Sequence, residues 1–67
     1  MTSPTDILSY LRQAGGDAAD IAQVLGASAR EVQNILHTLD DSGHVIMRNG
    51  LYRLSEAYKL GHIGEPE

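Results

Sequence analysis

The chain has no cysteine, no tryptophan and no phenylalanine, and only two of its 67 residues are proline. Without cysteine, a disulfide framework and a zinc site built on thiolates are both excluded. No apolar run approaches the roughly 20 residues that a bilayer-spanning helix needs. The opening MTSPTDILSY also lacks the basic start and long apolar stretch of a signal peptide. Basic residues are scarce: five Lys and Arg stand against nine Asp and Glu, for a formal net charge of −4. That balance argues against strong nucleic-acid binding, whose affinity comes largely from phosphate neutralisation by Lys and Arg. The length allows one small core and no second domain. The expectation is a soluble, cytoplasmic, single-domain protein.

What is present is strongly periodic. Ile7, Leu8, Leu11 and Ala14 recur at helical spacing, which predicts a first helix from Pro4 to Ala14. Ser3 is its N-cap, Pro4 takes the first helical position, and Asp6 suits the positive end of the helix dipole. Gly15-Gly16 should stop it in the left-handed conformation that glycine tolerates. A short second helix follows, capped by Asp17, with Ala18, Ile21, Ala22 and Leu25 inward and Gly26 at its end. Ser28 and Glu31 form a capping-box pattern for a third helix over about 29–41. Its inner face is Val32, Ile35, Leu36 and Leu39. Arg30, Asn34, His37 and Asp41 lie opposite, with Gln33 and Thr38 on the flanks. Gly43 closes it.

The period then changes from helix to strand. His44-Val45-Ile46-Met47-Arg48, Asn49-Gly50 and Leu51-Tyr52-Arg53-Leu54 read as a hairpin with a two-residue type I′ turn. This turn sets Arg48 opposite Leu51 and Val45 opposite Leu54. Alternation sends Val45, Met47, Tyr52 and Leu54 toward the helices and Ile46, Arg48, Leu51 and Arg53 outward. From Ser55 the pattern predicts one capped helical turn, with fraying after it at Gly61, Gly64 and Pro66. The domain is thus expected over 1–55, with 56–67 as a tail, either short helix or disordered.

Helix, short helix, tight turn, longer helix, hairpin: this order resembles the winged helix-turn-helix domain. The resemblance is carried by Ala19-Asp20-Ile21-Ala22-Gln23-Val24-Leu25-Gly26, by Ser28, Val32, Leu36 and Leu39, and by Gly43, Val45, Tyr52 and Leu54 in the wing. It covers about residues 5–54 and is similar to the small free-standing regulators of bacterial or phage type. It implies an α+β fold, a three-helix core with a two-stranded C-terminal hairpin. Z-DNA-binding winged helices share the core spacing, but their Asn, Tyr and Trp backbone readers are replaced here by Gln33, His37 and Tyr52. The implied function is transcriptional regulation through double-stranded DNA, with the third helix in the major groove and the wing on the backbone. The implied contacts are Ser28, Arg30, Gln33, Asn34 and His37, with Arg48 and Arg53 on the wing. Arg reads guanine bidentately, and Gln or Asn reads adenine. Ser28 and the helix N-terminus suit a phosphate.

Other readings of the same residues stay open. Arg30, Gln33, Asn34 and His37 also fit a solvated amphipathic face, and Arg48 and Arg53 also fit an edge strand protected from aggregation. Ile46 and Leu51 on the outer hairpin face, with Tyr58, Leu60 and Ile63, suggest a homodimer or partner-protein surface. A winged-helix module for protein interaction, without DNA binding, is therefore the alternative. His37, His44 and His62 lack metal-ligand spacing, and Asp40-Asp41 lies at an exposed helix end. No phosphate-cradling glycine motif and no convergent nucleophile set is present. The expectation is a protein that is no enzyme and takes no cofactor.

Overall fold

The computed structural model describes residues 2–66 and orders four helices and one two-stranded hairpin along the chain. These are α1 (Pro4–Gln13), α2 (Ala18–Leu25), α3 (Ala29–Asp41), β1 (Val45–Arg48), β2 (Leu51–Leu54) and α4 (Glu56–Lys59). The architecture is α+β: α1 packs against β2, α3 packs against β1, and α2 packs mainly on α3.

Each helix begins on a polar cap. Ser3, Asp17, Ser28 and Ser55 all accept a hydrogen bond from the backbone N–H three residues on. The full reciprocal box belongs to α1: Ser3 Oγ accepts from Asp6 N–H, while Ser3 N–H donates to Asp6 Oδ2. At α3, where a box was expected, only half of it forms. Ser28 Oγ accepts from Glu31 N–H at 3.1 Å, but Glu31 Oε2 accepts from Thr2 N–H at 3.2 Å. The carboxylate has a long-range donor and leaves its local one.

The first connection also departs from expectation. Helix α1 ends at Gln13, and Ala14 is extended at φ −161°. Neither Gly15 nor Gly16 has a positive φ, whereas Gly26, at φ 70°, does end α2 in the left-handed region. Gly15 and Gly16 serve close approach instead. Gly16 exchanges two backbone hydrogen bonds with Tyr52, at 3.3 Å and 2.8 Å, which lays a one-residue rung against β2. A Cβ at Gly15 would stand 3.3 Å from the Tyr52 carbonyl oxygen. Strand β2 is therefore flanked on both sides, and β1 is the edge.

The hairpin has the expected register, Val45↔Leu54, Ile46↔Arg53, Met47↔Tyr52 and Arg48↔Leu51. Its turn residues have positive φ, 55° at Asn49 and 79° at Gly50, as a type I′ turn requires. The inward face is only partly as expected. Val45, Tyr52 and Leu54 are buried, but Met47 is 52% exposed. Tyr52 lies under the Gly16 rung, whereas Met47 is on the edge strand near the turn, beyond the reach of the helices.

The core is Ile7, Leu8 and Leu11 of α1, Ala18, Ile21 and Ala22 of α2, Val32, Leu36 and Leu39 of α3, and Val45, Tyr52 and Leu54 of the hairpin. Leu25 and Ile35 are half-buried at its margin. A fourth helix adds to it. Tyr58 is 6% exposed, and Ile63 packs against the same cluster. Beyond Leu60, where fraying is expected, the described residues make hydrogen bonds to other parts of the fold. His62 N–H donates to Ala57 C=O at 2.8 Å, and Gly64 C=O meets His44 Nε2 at 2.7 Å.

Candidate nucleic-acid interface

The surface that would meet DNA is built by α3 and the hairpin. Helix α3 buries Val32, Leu36 and Leu39 on one side, so its 3.6-residue period carries Arg30, Asn34 and His37 to the other. All three are exposed, and Gln33 is half-buried beside them. Ser28 is exposed, but its hydroxyl already caps the helix. The stripe carries an axial gradient. Arg30 stands in the first turn, where the backbone N–H groups concentrate positive potential, and Asp40 and Asp41 stand in the last. An anion therefore meets an attractive N-terminal half and a repulsive C-terminal end. The Glu31 bond to Thr2 N–H draws one acid toward the N-terminal segment.

The hairpin divides its two arginines. Arg48 is exposed beside the turn, next to Asn49-Gly50. Arg53 is exposed too, but its side chain runs beside Gly15, where an added Cβ would stand 3.6 Å from Arg53 Cγ. It lines a hollow with Arg12 and Lys59, at the end of β2 away from the turn. Arg30, Asn34 and His37 thus share the outer face of α3, Arg48 stands at the hairpin tip, and Arg53 lines the hollow.

The residues expected to mediate association also separate. Ile46, Leu51 and Leu60 are exposed at 40%, 44% and 65%. Tyr58 is buried within the chain, and Ile63 is half-buried against the same cluster.

A polar cluster that the sequence did not announce sits beneath them. His44 is buried, with Nδ1 against Ser42 Oγ and Nε2 against Gly64 C=O at 2.7 Å. A carbonyl only accepts, so Nε2 carries a proton there. The Tyr58 ring lies 5.3 Å from the His44 ring, tilted by 55°. Arg12 Nη2 donates to Tyr58 Oη at 3.1 Å, and the Tyr58 hydroxyl straddles the Glu65 carboxylate at 2.7 and 2.9 Å. Burial holds the Tyr58 hydroxyl pKa above its ordinary value, and the bond to Glu65 adds to this, with Arg12 opposing. Spacing alone does not reveal the cluster, because Arg12, His44, Tyr58 and Glu65 come from four separate segments.

No group of three or more His, Asp or Glu that would hold a metal ion occurs among the described residues. None of their helices is long and apolar enough to cross a membrane.

No protein-family model and no curated protein matches the sequence. Among solved structures, the chain is similar to part of one described as "PigF with SAH", at 35% identity and a TM-score of 0.72. The likeness covers 81% of this chain and only 16% of that one.

Proposed function

We propose that the chain is a winged helix-turn-helix module that binds double-stranded DNA as a cytoplasmic transcriptional regulator. In this reading α3 enters the major groove, and the β1–β2 hairpin is the wing. The observation that carries the proposal is the exposed Arg30–Asn34–His37 stripe on α3, with Arg48 exposed at the tip of the hairpin that follows it. Arg30 supplies a guanine-reading fork and Asn34 an adenine-reading amide, one helical turn apart. Arg48 serves a backbone phosphate. Arg30 and Arg48 together bring about two positive charges to the duplex, so a log–log salt slope of about −2 and weak monomeric binding are expected. Titration of labelled duplex at low salt tests this, followed by backbone amide shifts. Binding should perturb residues 28–38 and the turn around Arg48. An absence of binding at several hundred micromolar protein overturns the proposal for this chain.

A second reading is a winged-helix module for protein interaction. Two observations favour it: the similar fold forms a small part of a much longer chain, and Ile46, Met47 and Leu51 leave apolar surface on the hairpin. Here the duplex titration is flat, while sedimentation of the concentrated chain shows self-association that Ile46→Lys abolishes.

A further inference from the structure

Three of the five Lys and Arg residues of this acidic chain line one hollow, and we propose that the hollow binds a small phosphate-bearing anion, a phosphate monoester by preference. It has a volume of about 220 Å³ and lies where the end of α1, the Gly15 connection, β2 and α4 meet. Arg12 comes from α1, Arg53 from β2 and Lys59 from α4. Leu11 and Leu54 form its apolar side, and no Asp or Glu lines it. These residues are far apart in sequence, so only the fold assembles them.

Three arguments lead from the hollow to an anion. First, three basic residues and no acid line it in a chain whose net charge is −4, and Arg12 alone of the three has a carboxylate, Glu65, within 4.0 Å among the described residues. Like charges facing one space repel, and an anion between them converts repulsion into attraction. A concavity lined by charges of one sign focuses their field on the space between them. Second, Arg12 is oriented. Its guanidinium donates to Tyr58 Oη at 3.1 Å, and its central carbon lies 5.4 Å from the Tyr58 ring centroid. The side chain is more than half exposed, so these contacts narrow its orientation while its other donors stay accessible to a ligand. Third, Gly15 puts no side chain into the lining. A Cβ there would stand tight against the Tyr52 carbonyl oxygen at 3.3 Å and in ordinary contact with Arg53 Cγ at 3.6 Å.

Two planar guanidinium forks and one ammonium suit a tetrahedral, multiply charged oxyanion better than a single carboxylate. One acid stands near. Glu65 Oε2 is 4.0 Å from Arg12 Nη2, but its oxygens receive the Tyr58 hydroxyl at 2.7 and 2.9 Å. Glu65 is therefore a weak competitor for Arg12, and removing its charge should favour the anion. The site is independent of the DNA reading, which rests on α3 and the hairpin tip.

The test is a titration of the full ¹⁵N-labelled chain with inorganic phosphate, against chloride at matched ionic strength. Saturable shifts at Gly15, Arg53 and Lys59 are expected, in the millimolar range or tighter. Arg53→Gln and Lys59→Gln should each weaken binding at least fivefold, with thermal melting confirming that these exposed positions leave the fold intact. Glu65→Gln should tighten it at least twofold, a gain that loss of structure does not mimic. Shifts that track chloride equally, that fall outside the hollow, or that survive both cation substitutions overturn the proposal. A parallel titration with duplex DNA separates the sources of phosphate. If duplex perturbs Gly15 and Lys59 and inorganic phosphate does not, the hollow contacts a nucleic-acid backbone, and the small-anion assignment is wrong.

Discussion

Replacing Tyr58 with alanine tests whether the C-terminal segment belongs to the folding unit. The ring is 6% exposed and packs in the central cluster, so truncation removes a buried aromatic and leaves a cavity. Comparable truncations cost about 3–5 kcal/mol. The hydroxyl bonds to Arg12 and Glu65 add little, because both partners are more than half exposed and screened by water. A domain of this size has roughly 3–10 kcal/mol in total, at about 0.05–0.15 kcal/mol per residue. Tyr58→Ala should therefore remove a large part of the stability, lowering the melting temperature by about 12 °C or more. The control is two residues away: Leu60 is 65% exposed, and Leu60→Ala should stay within about 0.5 kcal/mol of wild type. Urea unfolding followed by far-ultraviolet circular dichroism measures both. Equal midpoints for the two variants would refute the reasoning, because they would place Tyr58 outside the core.

Leu36→Ala, at a fully buried position in the middle of α3, should cost about 2–5 kcal/mol, and a melt within a few degrees of wild type would show the helical phase to be wrong. Gly50→Ala places a side chain at φ 79° and should cost about 1–2 kcal/mol in a urea titration, chiefly through the turn. The Tyr58 hydroxyl has a folded pKa raised above its unfolded value near 10. Its contribution is thus complete below about pH 10 and is lost as pH rises through the folded value, so Tyr58→Phe should flatten the alkaline fall in stability. Arg30→Ala should weaken a preferred duplex site by about 1–3 kcal/mol and relax selectivity there, as read by competition titration.

The helices and the hairpin were legible because their determinants are local. Ser28 capping α3, Gly26 ending α2 and the Asn49-Gly50 turn each act within a few residues, and all take the expected conformations. The departures come from contacts between distant segments. Gly15-Gly16 looks like a helix stop, but its glycines accommodate Tyr52, which lies 36 residues beyond Gly16. Met47 alternates correctly, but exposure depends on which strand is the edge, and the Gly16 rung decides that. Tyr58 and Ile63 read as apolar surplus after a closed fold because the space they fill is bounded by residues from both ends of the chain. The candidate site follows the same division. The α3 stripe follows from period alone, whereas the placement of Arg53 beside Arg12 and Lys59 depends on three segments meeting.

The rung between Gly16 and Tyr52 has a consequence for divergence. Main-chain atoms form this tie between the hairpin and the first connection, so it does not draw on the outward side chains of the hairpin. The outer side chains of α3 and the hairpin tip are then free to change while the scaffold presents them at the same spacing and tilt. In the proposed DNA reading, substitution at Arg30, Gln33, Asn34, His37 and Arg48 would change the sequence that is read and leave the scaffold as it is. Position 15, pressed against a carbonyl oxygen, has much less room to vary.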